Sequence, residues 1–247
     1  MRRTALIQAL WVGMISVSCL GQAESGGKTT SSGKGLSGEL GIKTGEQIVA
    51  IGDSITQGGG YLQCIYVVFA KQYPDIKPAI INVGMSGQMA EHLVARFDRD
   101  VIQKKPAIVT ISIGINDVLQ RLGQPHDENV LKAYKENVTK MVTSAQAAGI
   151  RVVLCTPTLI QEDANSEGNK RLVMYVDAMK QIAAEKKCMI ADLHELFLQA
   201  IAGKPADAKG NAFTSDGVHM NGPGDWLMAQ GILRQLGVPQ DKIDASK

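Results

Sequence analysis

Short apolar runs that alternate with longer amphipathic segments are the feature that most constrains the fold of this chain. The runs lie at 47–51, 78–83, 107–113, 151–155 and 189–191. They lack the polar alternation of half-exposed strands, and such runs are typical of strands that are buried on both faces. Strands that alternate with helices form parallel sheets covered on both sides. The pattern predicts an α/β fold with a five-stranded parallel sheet in a three-layer α/β/α sandwich.

The segments between the runs carry apolar residues at helical spacing and end at helix-stop signals. Helices are predicted at 61–73, 129–148, 169–186, 193–201 and 224–236, with a further helix that Ser86 begins as its cap. A polar loop is predicted from 203 to 215. This order of elements fits one domain, residues 46–247.

The N-terminus has the features of an export signal. Arg2 and Arg3 precede an apolar run that ends in Gly21-Gln22-Ala23, which predicts a signal peptide over residues 1–23. Cys19 offers lipid attachment as the alternative, but the residues before it lack the expected leucine, so soluble export is favoured. No other stretch is apolar enough to span a membrane. The protein is therefore expected to be secreted or periplasmic.

Residues 24–45 are rich in Gly, Ser, Lys and Thr and predict a flexible linker. Loss of the signal peptide leaves 24 basic and 24 acidic residues. This balance and the lack of a basic patch exclude nucleic acid as an expected partner. Cys64, Cys155 and Cys188 lie in apolar surroundings and predict no disulfide framework.

Polar residues follow several of the predicted strands. Gly52-Asp53-Ser54 follows the first strand, Gly84 the second and Asn116 the third, and Asp216 and His219 lie near the end of the chain. In open parallel sheets, ligands bind beyond the carboxyl ends of the strands. The sequence therefore predicts a site built from these residues.

A serine hydroxyl becomes an effective nucleophile only when a base accepts its proton. His219 is the predicted base for Ser54. It follows Asp216 by three residues, so on a helical turn the carboxylate would orient one ring nitrogen and leave the other for the serine. The alternatives are that Ser54 caps a helix, and that Asp216 and His219 cap the helix after them.

Acyl transfer also needs donors for the oxyanion that forms on the substrate. The Ser54 N–H, the Gly84 N–H and the Asn116 amide are the predicted donors. Taken singly, Gly84 and Asn116 are equally typical of turns. Together with a serine and a histidine, they favour catalysis.

The order Ser54, Gly84, Asn116, His219 resembles the four motif blocks of the SGNH (GDSL-type) hydrolases. The resemblance extends from Gly52 to His219. It implies a flavodoxin-like fold and a Ser54-His219-Asp216 triad without Asp53 or Asp117, and the chemistry requires no metal or organic cofactor. Met220 stands where the family often has proline after the histidine.

The resemblance implies an exported serine esterase that hydrolyses short acyl esters, such as acetyl on carbohydrate. The expected partner is a small-molecule or polysaccharide acyl ester. A lipase, lysophospholipase or thioesterase role is the close alternative. A different class, a non-catalytic anion- or nucleotide-binding module, would use Gly58-Gly59-Gly60 as a phosphate cradle. Met85, Met89, Leu119, Met220 and His126 are further candidates for the pocket wall.

Overall fold

The computed structural model describes residues 40–204 and 209–247. The predicted signal peptide and residues 24–39 of the predicted linker lie outside these ranges. Residues 40–45 pack against the domain: Ile42 is 1% exposed, and the Gly41 N–H donates to the Leu236 carbonyl at 2.7 Å. The last six residues assigned to the linker thus belong to the described part of the chain, and Ile42 contributes to the core.

Five parallel strands form one sheet in the order β2-β1-β3-β4-β5. Their bounds are β1 Gln47–Gly52, β2 Ala79–Asn82, β3 Ile108–Ser112, β4 Arg151–Cys155 and β5 Met189–Ala191. The order is that of the flavodoxin-like doubly wound sheet. The predicted α/β fold and its five parallel strands are confirmed.

Nine helices accompany the sheet in the described parts of the chain. They are α1 Ser54–Gly58, α2 Gly60–Gln72, α3 Ala90–Asp100, α4 Ile115–Leu119, α5 Glu128–Ala147, α6 Glu167–Lys186, α7 Leu193–Ala202, α8 Gly222–Gln235 and α9 Gln240–Asp244. Helices α3, α5 and α6 pack in one layer, and α2, α7 and α8 in the other. The core consists of β-strand residues and the inward faces of these helices.

Helix α3 begins later than predicted. Ser86 does not cap it, because the chain makes a turn through Gly87 at φ +74° and the helix follows Met89. The Met89 N–H donates instead to His92 Nδ1 at 3.0 Å. The prediction that Ser86 begins this helix is wrong.

The strand register sets the position of the site. Gly52 pairs with Ser112, and Ser112 with Cys155, so β1, β3 and β4 end side by side. The residues that follow these strands therefore meet at one edge of the sheet.

The cysteines Cys64, Cys155 and Cys188 carry free thiols. No helix in the described residues is long and apolar enough to cross a membrane.

Candidate active site

Ser54 is the first residue of α1, directly beyond the end of β1. Asp53 is the cap of this helix, since its Oδ1 accepts the Ile55 N–H at 3.0 Å. A side-chain cap satisfies one of the free amides at a helix start. The cap is thus supplied by the neighbouring residue, and the Ser54 hydroxyl is free for another partner.

That partner is His219, although 165 positions separate the two residues. His219 Nε2 lies 2.9 Å from Ser54 Oγ, and His219 Nδ1 lies 2.6 Å from Asp216 Oδ2. A carboxylate only accepts hydrogen bonds, so Nδ1 carries the proton and Nε2 accepts the serine hydroxyl. The structure therefore brings the three predicted residues into one hydrogen-bonded chain.

The pKa of Asp216 is lowered to about 2. The hydrogen bond from the His219 side chain is the largest cause, followed by the bond from the His219 N–H. A carboxylate with so low a pKa stays ionised at any pH at which an esterase operates. It can therefore orient the imidazole and stabilise its protonated form.

Asp216 and His219 lie in a turn and not on the helical segment predicted from their spacing. Asp216 Oδ1 accepts the N–H groups of Val218 and His219 at 2.9 and 2.8 Å. The Ser215 N–H donates to the His219 carbonyl at 2.8 Å, and Thr214 pairs with Met220 in an antiparallel bridge. We call residues 212–221 the histidine hairpin. The helix begins only after it, with Asn221 as the cap of α8.

Glu162, which sequence reasoning missed, anchors the base of the histidine hairpin. Its side chain is 3% exposed. One carboxylate oxygen accepts the Phe213 N–H at 2.7 Å and the Thr214 N–H at 2.8 Å and hydroxyl at 2.9 Å. The other accepts the Ala212 N–H at 2.7 Å and pairs with Lys204 Nζ at 3.1 Å.

Burial opposes the ionisation of Glu162, but these donors outweigh it and lower the pKa of the carboxyl below its ordinary value. The neighbouring Gln161 strengthens the attachment, since its N–H donates to the Gly217 carbonyl at 2.7 Å. The segment after β4 therefore holds the turn that carries Asp216 and His219. No local pattern marks Glu162, because all its partners lie far along the chain.

The predicted oxyanion donors differ in whether they already bond to an acceptor within the protein. Asn116 lies in α4, is 8% exposed, and donates one amide hydrogen to the Gln88 carbonyl at 3.1 Å. The Gly84 N–H donates to Asn82 Oδ1 at 2.9 Å. The N–H groups of Ser54 and Gly87 have no acceptor among the described residues.

Several side chains hold the loop that carries these glycines. The Gln120 amide donates to the Gly87 carbonyl at 2.9 Å, next to the bond from Asn116. Arg96 is 7% exposed and donates to the Val83 carbonyl at 2.7 Å and to the Gln88 side chain at 2.7 Å. The loop is thus held between α3 and α4, and Gly87 lies near the Asn116 amide.

Two further carboxyl groups are buried beside the site. Burial raises the pKa of Asp53 to about 6 and that of Asp117 to about 7. Asp117 Oδ1 accepts the Ala90 N–H at 3.2 Å, at the start of α3. Each group thus holds the start of a helix.

The glycines at 58–60 do not form an open phosphate cradle. Gly58 ends α1 and Gly60 begins α2. A Cβ atom on Gly60 would lie 2.0 Å from Asp225 Oδ2, and the same carboxylate accepts the Tyr61 N–H. A carboxylate therefore occupies the helix start that a phosphate would need, which argues against the anion-binding alternative.

The remaining wall candidates fall in different places. His126 lines a cavity of about 370 Å³ together with Asp117 and Arg121, and Met89 lines a neighbouring one. Met85 is 41% exposed, whereas Leu119 and Met220 are half-buried. The described residues contain no cluster of His, Cys, Asp or Glu that could hold a metal ion.

The family model for GDSL-like lipases and acylhydrolases matches residues 50–227, which include both halves of this site. The chain belongs to this family. Among curated relatives, the GDSL-like chain is 29% identical to an acetylxylan esterase of Geobacillus stearothermophilus over 79% of its own length and 96% of the relative. It is 24% identical to an uncharacterised lipoprotein of Bacillus subtilis over 76% and 88% of the two chains.

Solved structures agree with the assignment to the GDSL-like family. The crystal structure of Axe2, an acetylxylan esterase from Geobacillus stearothermophilus, matches with a TM-score of 0.72 and 27% identity, over 81% of this chain and 98% of the other. An α/β hydrolase enzyme from the Lake Arreo metagenome matches with a TM-score of 0.71 and 25% identity, over the same shares of the two chains. The protein is an acyl esterase of the SGNH type, a serine hydrolase that acts on carboxylic esters.

Proposed function

We propose that the protein is an exported esterase that removes short acyl groups, such as acetyl, from carbohydrate through a Ser54-His219-Asp216 triad. The observation that carries the proposal is the hydrogen-bonded chain of 2.9 and 2.6 Å through these three side chains. Solved mutants of Axe2 support it. These catalytic mutants alter a serine, an aspartate and a histidine, and the last two positions are three apart, as Asp216 and His219 are here.

In the first half-reaction, Ser54 Oγ attacks the ester carbonyl carbon while His219 Nε2 takes the hydroxyl proton. The tetrahedral intermediate collapses, the bond to the leaving alcohol breaks, and the imidazolium returns the proton to that alcohol. Water then attacks the acyl-enzyme by the same route and releases the acid and Ser54. Asp216 stabilises the imidazolium in both halves.

The oxyanion is held by the Ser54 N–H, by the Asn116 amide and by a glycine N–H of the loop after β2. Gly84 is the donor predicted from the sequence. Gly87 is the better-supported donor, because the Gly84 N–H is bonded to Asn82 whereas the Gly87 N–H has no acceptor in the described residues. The positive φ of Gly87 is the local signal that points to it.

The triad lies in an open part of the surface, which supports a polymeric or branched substrate. The side chains of His219 and Asp216 are 47% and 54% exposed. A reactive centre this open is accessible to an acyl group that is still attached to a long chain. The relatives named as acetylxylan esterases support acetyl on a xylose-based glycan as the substrate.

A series of 4-nitrophenyl esters of increasing acyl length, assayed beside acetylated xylan, tests the substrate class. We expect kcat/KM to be highest for acetate and to fall steeply beyond butyrate, with acetate released from the polymer. A maximum at long acyl chains without release from xylan would contradict the proposal and favour the lipase, lysophospholipase or thioesterase alternative. An organophosphonate probe should label Ser54, and absence of labelling on the intact protein would contradict the triad.

Export rests on the predicted signal peptide, and the relative named a lipoprotein supports it. Mass spectrometry of the protein from a secreting bacterial host should show a chain that begins at Glu24. A lipid-modified chain that begins at Cys19 would contradict soluble export and show that the protein is attached to a membrane. Cys19→Ser serves as the control, since it removes only the lipid route.

A further inference from the structure

A polar cavity of about 370 Å³ lies beside α4 and has no part in the triad chemistry. Its wall includes Asp117, Arg121, His126, Arg171 and Tyr175. Asp117 and Arg121 also line a second cavity of about 190 Å³, together with Met89. The two cavities therefore meet around the same pair of side chains. We call them together the Arg121 groove.

Two buried polar atoms at this junction lack hydrogen-bond partners among the described residues. Asp117 is 6% exposed, and its Oδ2 has no partner. The Nε of Arg121 is buried and also without a partner, and the Arg121 guanidinium forms no ion pair with any described residue. A buried polar atom without a partner costs free energy, so such pairs are rare unless a ligand or water completes them.

The unpartnered atoms are complementary in type. Above its pKa of about 7, Asp117 is ionised and its Oδ2 accepts hydrogen bonds, whereas Arg121 Nε donates them. The two residues are four positions apart, yet they form no ion pair with each other. A second acid, Asp127, and a second arginine, Arg171, line the larger cavity and balance its charge. The groove thus suits a neutral ligand that offers donors and acceptors side by side.

The groove adjoins the oxyanion side of the active site. Asn116 and Gln120 hold the Gly87-Gln88 segment, and the residues that follow each of them, Asp117 and Arg121, line the groove. Asp117 directly follows Asn116 in α4, so the groove and the Asn116 amide share one short helix. This position fits the part of an ester substrate that extends away from the acyl group.

We infer that the Arg121 groove binds a sugar ring of the glycan, with adjacent hydroxyls bridging Asp117 Oδ2 and Arg121 Nε. A hydroxyl both donates and accepts hydrogen bonds, so a pair of neighbouring hydroxyls satisfies both atoms at once. The inference rests on the proposed function, since it names the site for the carbohydrate part of that substrate.

Calorimetric titration at about pH 8.5, where Asp117 is ionised, tests the groove directly with xylotriose, which has no ester and is not consumed. We expect the wild-type protein to bind it and Arg121→Gln to raise Kd about tenfold or more, because a hydrogen bond from a charged group is lost. Asp117→Asn should also weaken binding. Its amide oxygen can still accept the Ala90 N–H, while its NH₂ group places a donor where the sugar needs an acceptor.

Arg234→Gln is the matched control, since Arg234 is an exposed arginine near the end of α8 whose side chain bonds, in the described parts of the chain, only to Gln240. It should leave Kd unchanged. Absence of xylotriose binding by the wild type, or an unchanged Kd in both groove variants, would overturn the inference. Assays of 4-nitrophenyl acetate and acetylated xylan on the same preparations separate the two proposals. Sugar binding without ester hydrolysis refutes the esterase function alone, and hydrolysis without groove-dependent binding refutes the sugar site alone.

Discussion

The two oxygens of Asp216 serve different parts of His219. Oδ2 lies 2.6 Å from the ring nitrogen Nδ1, while Oδ1 accepts the backbone N–H of the same histidine at 2.8 Å. One carboxylate therefore shapes the turn and orients the ring that the turn carries. The two roles can be separated by substitution, because an asparagine retains one oxygen and replaces the other by an NH₂ group.

Asp216→Asn should lower kcat for 4-nitrophenyl acetate by about 10²–10⁴-fold. The amide oxygen can keep the turn, but the NH₂ group cannot accept the proton of Nδ1, so the imidazole loses its orientation and its partner. Asp216→Ala should be at least as slow and should also lose thermal stability, since it removes the turn bonds. Equal kcat in the wild type and the asparagine variant would remove Asp216 from the triad.

Glu162→Gln should lower kcat about 10- to 100-fold with little change in KM, because a small displacement of the histidine hairpin misplaces the base. The glutamine NH₂ group cannot accept hydrogen bonds from the N–H groups of residues 212–214. The bonds to at least one of the two carboxylate oxygens of Glu162 are therefore lost. The rate of Ser54 labelling by the phosphonate probe should fall in parallel with kcat.

Glu185→Gln is the matched control for Glu162→Gln, because Glu185 is exposed on α6 and its side chain bonds to Gln181 alone among the residues the structure describes. It should retain wild-type kcat and melting temperature. A lower melting temperature for Glu162→Gln with unchanged kcat and labelling would show that Glu162 supports the fold without positioning His219.

Asn116→Ala should lower kcat by about 10²–10³-fold if its amide holds the oxyanion. The substitution also removes the bond to the Gln88 carbonyl, so the loop anchor needs its own control. Gln120→Ala provides it, because Gln120 anchors the neighbouring Gly87 carbonyl at 2.9 Å. A similar loss of kcat in both variants would assign the effect to the loop and not to the oxyanion.

The sequence predicted those parts of the fold that depend on local periodicity. Strands β4 and β5 have the predicted bounds, and the other strands differ at their ends by one or two residues. Helices α5 and α6 were predicted for the same reason, since each has twenty residues and a continuous apolar face. Ser54 could be singled out because it directly follows a predicted strand, and Asp216 and His219 because their spacing of three residues suits a base and the carboxylate that orients it.

Other features depend on contacts between distant residues and were not predicted. The short helices α1 and α4 hold only five residues each, too few for a periodic pattern. In the turn at Asp216, the Asp216 side chain accepts the backbone N–H groups of Val218 and His219. The spacing of three residues, which suggested a helical turn, therefore arises from a turn stabilised by a side chain. Glu162 and Arg96 act through partners in other segments, which no pattern around them indicates.

The buried Asp117 carboxyl predicts a pH dependence of stability that can be assigned to one side chain. Burial raises its pKa from the ordinary aspartate value of 3.8 to about 7. Between these pH values the folded state holds a proton that the unfolded chain has lost, so the free energy of unfolding falls as the pH rises. The contribution of the protonated Asp117 carboxyl to the free energy of unfolding is fully present below about pH 4 and is lost as the pH rises through 7.

Asp117→Asn should therefore be more stable than the wild type at pH 8, by on the order of a few kcal/mol, and closely similar to it near pH 4. The asparagine has no proton to lose, and it can still accept the Ala90 N–H. Urea unfolding at pH 4, 6 and 8 measures the difference, with Asp98→Asn on the exposed face of α3 as the control. Asp53, whose pKa is raised to about 6, titrates in the same range in both proteins, so the difference between variant and wild type isolates Asp117. Asp216 and Asp100 act below this range, because their pKa values are lowered to about 2. A difference between variant and wild type that does not change from pH 4 to pH 8 would show that Asp117 is ionised throughout.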